Sequence, residues 1–508
     1  MVRHQPVVGV VSFVDARTAT AGSEERDLFV RQRHNEMVRY LRECGFKVVD
    51  PEGDETCGCS GDAFGLKTAG GVDACLAELQ RQQVDCLVIP CTSWAQPVRP
   101  LRLIRGLNKP VLLYAEEDDK WAGGVMMTAL GASLWEVAPN SHALAHERVR
   151  GDLALVKDWV LGVSAFEYLR RSTLVLWGGT YCEGMAHLMD DVPALHSFLV
   201  GDIVSVDTSE LIRRAESILQ HAPSRTVSFV EWLLSHGTKI TYDARMCTPD
   251  ALHRQVALYL AARDFLREFP EPVAGASIRC QPELSTEFGC TACLIPSFLP
   301  FPEDNEGRHG FIPTVCEGDI KGLVTSVALS KITSVPPLFG DLKQVKKEYI
   351  ILSNCGGASV YYAANSTDPG QALPHVRLEA QCQGASGAAV GYFGKEGPVT
   401  VARLQRVNGV YFMQLGHGRA MAVSKDMADQ ILWGQTWPHV CIDIGVAPGL
   451  FQNIAASNHY SAVPGDCTKS VEYFCREAGI RVLRIDSDDG AKAAMELIHE
   501  AALRKERR

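Results

Sequence analysis

The sequence lacks a long basic block, any unbroken apolar run of the ~18 residues a transmembrane helix requires, and any regular cysteine framework. The first absence, with a net charge of −10, argues against a nucleic-acid backbone as partner, because proteins that bind one concentrate Lys and Arg on one face. The second leaves no membrane span. The third bears on redox state: 17 cysteines is an odd count, and their spacing is not that of a small secreted scaffold. They read as reduced thiols in a cytoplasmic chain. A ribbon-type zinc site needs two CxxC pairs, and only Cys290/Cys293 is one, Cys57/Cys59 being a residue short. No internal repeat or low-complexity linker is present, so the domains are expected to share extensive interfaces.

What is present is ordinary globular composition, 46% hydrophobic and 22% charged over 508 residues, which is too long for one core. Met1 to Val14 has a basic start and a short apolar run that imitate a secretory leader. Asp15 and Arg17 follow at once without a small-residue cleavage site, so a first β-strand is the better reading. The Asn365-Ser366-Thr367 sequon is then incidental.

Three domains are expected, at 1–171, 172–347 and 348–508. In the first, strands at Val7–Val14, Lys47–Asp50, Cys86–Pro90 and Pro110–Tyr114 alternate with helical patterns at Asp27–Cys44 and Val72–Gln82. Alternation of that kind predicts an α/β fold, a parallel sheet with helices on both faces. Such sheets bind ligands at the carboxyl ends of their strands. The second domain repeats the strand signal at Thr173–Trp177, Asp202–Val206 and Gly275–Cys280, with helices at Ser209–Leu219 and Pro249–Phe269. The Gly178, Gly179, Gly184 cluster fits neither dinucleotide nor P-loop spacing and reads as a tight turn. The third domain, Gly-rich with short β-prone runs, predicts an antiparallel sheet or barrel.

The segment that carries chemistry runs from Pro313 through Glu317-Gly-Asp319 to Phe339-Gly-Asp341. Glu317 and Asp341 each end an apolar stretch, where a buried carboxylate requires a cation or hydrogen bonds. With the intervening helix at Gly322–Ile332, both acids are expected at one rim of a single sheet. Far downstream, Asn458-His459 lies in a Gly/Ala/Ser-rich loop. Two carboxylates and one neutral imidazole suit hexacoordinate Mn²⁺, Mg²⁺ or Co²⁺ with open positions better than a closed zinc site.

Glu317-Gly-Asp319 with its following helix, Phe339-Gly-Asp341 at an interval of 24 residues (341 − 317), and Asn458-His459 with Gly465-Asp466 resemble the metal-binding signatures of the L-fucose isomerase family. Further pieces agree along essentially the whole chain: Asp15-Ala-Arg17, Trp177 to Gly184, Cys280 to Leu284 and Gly397 to Arg403. The resemblance implies two Rossmann-like parallel-sheet domains and a C-terminal β-barrel-like domain. It also implies a homohexamer in which one subunit's first domain completes a neighbour's active site. Carried over by position, Glu317, Asp341 and His459 match the metal ligands; on chemical grounds the two carboxylates are also the catalytic candidates, as the base that takes a proton from one sugar carbon and returns it to the next. Gln281, Trp437 and Asn458 match positions lining the sugar, and Arg17 and Trp94 match groups lent by the adjacent subunit. The sequence departs from the family at Trp94, which stands about two residues late, and the chain is shorter than many members.

The implied activity is a Mn²⁺-dependent aldose–ketose isomerisation of L-fucose or a related monosaccharide through an enediol, an intramolecular oxidoreduction. Two alternatives stand beside it: isomerisation of a different, possibly anionic aldose with Arg17 or His187 recognising its far end, and a non-catalytic sugar-binding protein. Trp94, Trp437 and Tyr411 have a second reading as core packing, and Arg17 as an ion-pair partner of Glu24 and Glu25.

Overall fold

The computed structural model describes residues 5–15, 23–52, 65–118, 120–137, 140–180, 184–381, 386–431 and 437–503. Arg17 and the Cys57/Cys59 pair lie outside these residues. The chain forms two compact units, one spanning His4–Tyr168 with Glu472–Gly479, the other drawn from Leu169–Val471 and Ile480–Arg508.

In the first unit five parallel strands are ordered Lys47–Val49, Val7–Val10, Cys86–Pro90, Val111–Ala115 and Glu147–Arg150. Alternate residues of these strands feed two separate cores, as the period of two in a strand requires. Leu87, Ile89, Val111 and Leu113 pack with Val72, Leu79, Leu103 and Leu130 from helices on one face. Val8, Val10, Val88 and Leu112 pack with Met37, Leu41, Trp159 and Val163 from helices on the other. The near-continuous apolar runs of the sequence are thus the mark of strands buried on both sides. Helix Val98–Leu107 shows the complementary logic: Pro100, Leu103, Ile104 and Leu107 are its buried stripe, and Asn108 ends it in a left-handed conformation. The excursion Glu472–Gly479 belongs to this unit, with Phe474 packed edge-on against Phe166 and Glu477 bonded to His142.

The second unit contains a four-stranded parallel sheet ordered Thr314–Cys316, Val273–Ile278, Thr173–Trp177, Asp202–Val206. Gly178 and Gly179, at φ 85° and 83°, turn the chain at the end of Thr173–Trp177, as the cluster's spacing suggests. The unit's other main sheet has ten strands, in the order Arg481–Arg484, Val410–Met421, Gly397–Val407, His459–Pro464, Leu338–Val345, Ile350–Ser353, Pro438–Asp443, Ala388–Phe393, Arg377–Ala380 and Lys239–Ile240. It is mixed, where an antiparallel arrangement was expected. Ala388–Phe393 runs parallel to Pro438–Asp443, Val410–Met421 to Arg481–Arg484, and Arg377–Ala380 to Lys239–Ile240. Arg419–Met421 makes an additional antiparallel pairing with Cys441–Asp443.

Helix Ile320–Thr333 connects the two sheets of this unit, packing on Val273–Ile278 from one and on Gly397–Val407 and His459–Pro464 from the other. Enclosure explains its composition: it is buried nearly all round, including Thr325 and Ser326. Thr325 donates to Lys321 O and receives from Leu404 N, and Ser326 shares a bond with Ser461. Buried hydroxyls satisfied in this way avoid a desolvation cost of about 1–3 kcal/mol each.

Candidate metal centre

Glu317 follows directly on strand Thr314–Cys316 and has a backbone φ of 64°. A side-chain-bearing residue in that left-handed region carries strain of order 1–3 kcal/mol, the kind of outlier that clusters at functional sites. Gly318 continues the turn at φ 67°, and a β-carbon on it would come within 2.5 Å of Gly179 O. Only glycine lets the chain turn so closely there. Asp319 then begins helix Ile320–Thr333, its side chain accepting from Gly322 N at 2.9 Å.

Asp341 does not share a sheet rim with Glu317. It lies within strand Leu338–Val345 of the ten-stranded sheet, opposite Ser353 on one side and His459 on the other. His459 in turn is not in a loop but is the first residue of strand His459–Pro464. Small residues made that segment look irregular, yet it is an interior strand of the sheet. Direct cross-strand partners present side chains on one face, and so Asp341 and His459 converge. The Phe339 ring packs against the imidazole at a centroid distance of 4.7 Å.

One ligand atom each from Glu317, Asp341 and His459 lies within 4.8 Å of the others. His459 Nε2 is 3.1 Å from Glu317 Oε2 and 3.5 Å from Asp341 Oδ1. Both Nε2 and Oε2 are buried, and neither makes a hydrogen bond despite their proximity. Buried polar atoms left in this way are costly, and a hard divalent cation satisfies all of them at once. The O, O, N donor set fits such an ion and leaves positions open for ligands. Glu317 and Asp341 keep side-chain exposures of 19% and 11% while His459 has none, so access is from the carboxylate side.

The electrostatics follow from this crowding. Burial alone would raise Asp341, but the charge of His459, with Lys343 beyond, holds it below its ordinary value. Burial would likewise lower His459, and the surrounding carboxylates, Asp341 foremost, push it well above the usual imidazole range. A divalent ion seated there would have to displace the imidazole proton.

Among the positions expected to line a sugar, Asn458 sits beside the cluster, donating to Asp341 Oδ1 at 2.7 Å and lying 2.8 Å from His187 Nε2 through its carbonyl oxygen. Trp437 is fully buried, with Lys343 Nζ 4.8 Å from its ring centre. Gln281 follows strand Val273–Ile278, which neighbours the strand that ends before Glu317, and it accepts a bond from Ser285. Trp94 belongs to the first unit, where its backbone N–H bonds Trp121 O. Tyr411 donates to Asp190 at 2.7 Å and packs on Phe198.

Sequence reasoning gave no role to Asp319, Arg403 or Lys343. Arg403 carried a usable signal, being a charge in the middle of the apolar run Val399–Leu404, where an arginine is almost never buried without a partner. That partner is Asp319.

Residues 352–486 match the family described as L-fucose isomerase, C-terminal domain. A sulfoquinovose isomerase from Alkalicoccus urumqiensis is 22% identical over 307 residues, covering 58% of this chain and 61% of that protein. The chain thus spans less than two thirds of the length of this curated relative. The matched domain holds Asn458 and His459 but neither Glu317 nor Asp341, which the fold brings to them.

Proposed function

From the premise that residues 352–486 belong to the L-fucose isomerase C-terminal domain family, we propose that this chain is a divalent-metal-dependent aldose–ketose isomerase acting on a monosaccharide. The observation that carries the reading is the meeting of Glu317, Asp341 and His459 around buried, unbonded Nε2 and Oε2 atoms.

In this reading the three side chains hold the ion, with Mn²⁺ preferred and Mg²⁺ or Co²⁺ as substitutes. The ion supplies Lewis-acid polarisation of the sugar's carbonyl and neighbouring hydroxyl. The chain's own residues do the rest. A carboxylate, Glu317 or Asp341, takes the C2 proton of the aldose to give an enediol and returns a proton to C1, while the O2 hydroxyl proton passes to O1. Asn458, fixed by Asp341 and His187, is placed to bond a sugar hydroxyl, with Gln281 and Trp437 assigned to the same pocket. Arg17 and Trp94 are assigned to a neighbouring copy's site in a cytoplasmic homohexamer, about six times 55.5 kDa by light scattering. The ten-stranded sheet takes a barrel-like form in this reading, supported by the second pairing of Arg419–Met421.

A second reading concerns the substrate. The matched relative's name specifies sulfoquinovose, a sulfonated hexose, and this chain sets Lys343 beside Asp341 and His187 beside Asn458, which itself bonds Asp341. An anionic aldose is thereby favoured over L-fucose itself.

The test is turnover of a panel of neutral and anionic aldoses by Mn²⁺-reconstituted protein in D₂O. Ketose formation, with deuterium entering wherever the shuttled proton exchanges with solvent, supports the proposal, and the best substrate identifies the sugar. Sugar binding without ketose formation, unaffected by chelator, would replace it with a sugar-binding protein. Among the described residues no helix is long and apolar enough to cross a membrane.

A further inference from the structure

The geometry points to Asp319, backed by Arg403, as the positioning residue that decides which nitrogen of His459 faces Glu317 and Asp341. The inference rests on the metal centre proposed above and adds to it a residue that touches neither ion nor sugar.

Asp319 is fully buried and every contact it makes is directional. Its Oδ2 lies 2.8 Å from His459 Nδ1 and also accepts from Arg403 Nη1, while Oδ1 accepts from Gly322 N. With a permanently charged guanidinium on Oδ2 and a backbone N–H on Oδ1, both oxygens already serve as acceptors. An ionised carboxylate can only accept. A proton is therefore kept on Nδ1, and Nε2, which faces Glu317 Oε2 and Asp341 Oδ1, is the nitrogen left to bind an ion.

Among the described residues Arg403 pairs with Asp319. Its guanidinium is almost completely buried in strand Gly397–Val407, and Nε and Nη2 have no hydrogen-bond partner. A charge placed so expensively is retained only where it is paired, and its pair is Asp319. The packing leaves no room for a looser arrangement. A β-carbon on Gly322 would stand 2.5 Å from Phe339 Cε2, 2.8 Å from Asp319 Oδ2 and 2.9 Å from Arg403 Nη1. Phe339 in turn lies against the His459 ring, so ring plane and proton position are both set.

Asp319→Asn separates positioning from folding, because asparagine caps a helix as well as aspartate but can turn its amide N–H toward Nδ1 and favour the wrong tautomer. We expect calorimetric titration of the folded variant to show Mn²⁺ bound 10–100-fold more weakly than by the parent, the usual loss when such an outer partner is removed. A merely structural role would lower the unfolding temperature and leave the affinity of the folded protein unchanged. In parallel, nitrogen-15 histidine spectra of the Mg²⁺-loaded parent, with His459 assigned from its loss in His459→Gln, should show the proton on Nδ1. This measurement does not depend on Asp319→Asn folding. Affinity within twofold of the parent, or a Nδ1 without its proton in the loaded parent, overturns the inference and leaves the metal centre standing. A parent that binds neither Mn²⁺ nor Mg²⁺ overturns both.

Discussion

The ammonium of Lys343 lies 4.8 Å from the centre of the Trp437 ring and 3.5 Å from Asp341 Oδ2. A β-bulge puts it there: between Leu342 and Gln344 the pairing with Ile350–Ser353 slips, and Lys343 is the extra residue. Bulges beside active sites re-aim a side chain in this way, and the aromatic face beneath adds cation–π attraction. Since Lys343 is one of the charges that hold Asp341 below its ordinary value, Lys343→Met should raise it. Asp341 must be ionised to hold an ion, so the acid limb of Mn²⁺ binding is expected to move to higher pH. Metal titrations across pH check the direction, and an unmoved limb would refute the assignment.

Glu317→Gln and Asp341→Asn each remove a charge that the proposal uses twice. Turnover should fall at least ~10²-fold, the contribution of a positioned base, with a further loss from weaker ion binding. Measuring kcat at saturating Mn²⁺ separates the two. Near-normal kcat in Glu317→Gln with metal bound would remove Glu317 as the base.

Chelation tests the same centre without mutation. Stripping the protein with a chelator should abolish turnover and lower the unfolding temperature, and Mn²⁺ should restore both. At a hundredfold excess over Kd the ion stabilises the native state by about 2.7 kcal/mol. An unfolding temperature indifferent to Mn²⁺ would contradict the centre.

The first unit offers a pH test independent of metal. Glu52 is buried beyond strand Lys47–Val49, accepting from Ser12 N at 2.7 Å while its Oε1 has no partner. Burial chiefly, with Asp50 adding to it, raises its carboxyl to about 7 against the pull of His34. A carboxyl whose folded pKa lies above its unfolded 4.5 binds a proton more tightly when folded. Its contribution is fully present below pH 4.5 and is lost as pH rises to about 7, a change on the order of 3 kcal/mol. Glu52→Gln keeps the acceptor for Ser12 N and should flatten that part of the stability–pH curve. Denaturant unfolding of both proteins at several pH values measures it.

The elements most legible in the sequence were strands enclosed on both faces. Cys86–Pro90, Thr173–Trp177 and Ala388–Phe393 have the bounds their apolar runs suggest. Helices such as Leu153–Leu169 and Pro223–Ser235 were missed, the former because a nearly all-apolar helix has no polar face to reveal a period of 3.6. Glu317, Asp341 and His459 could be named from family resemblance, but the sheet that unites two of them could not. Pairing of Phe339–Asp341 with His459–Ser461 joins segments far apart in the chain, and nothing in local periodicity encodes such a register. Asp319 was hidden for another reason. Its position before a helix explains it fully as a cap, and only the fold shows its second oxygen turned to His459.

Glu317 hangs from the end of the parallel sheet, whereas Asp341 and His459 come from one antiparallel pair in the larger sheet. Any ion seated among them acts as a reversible rivet between two layers of the second unit. It closes a very long loop without a covalent bond, so that much of its benefit comes from restricting the unfolded chain. Loading should therefore slow amide exchange at Thr314–Cys316 and at His459–Ser461 in concert, tightening one seam of the molecule rather than a single pocket.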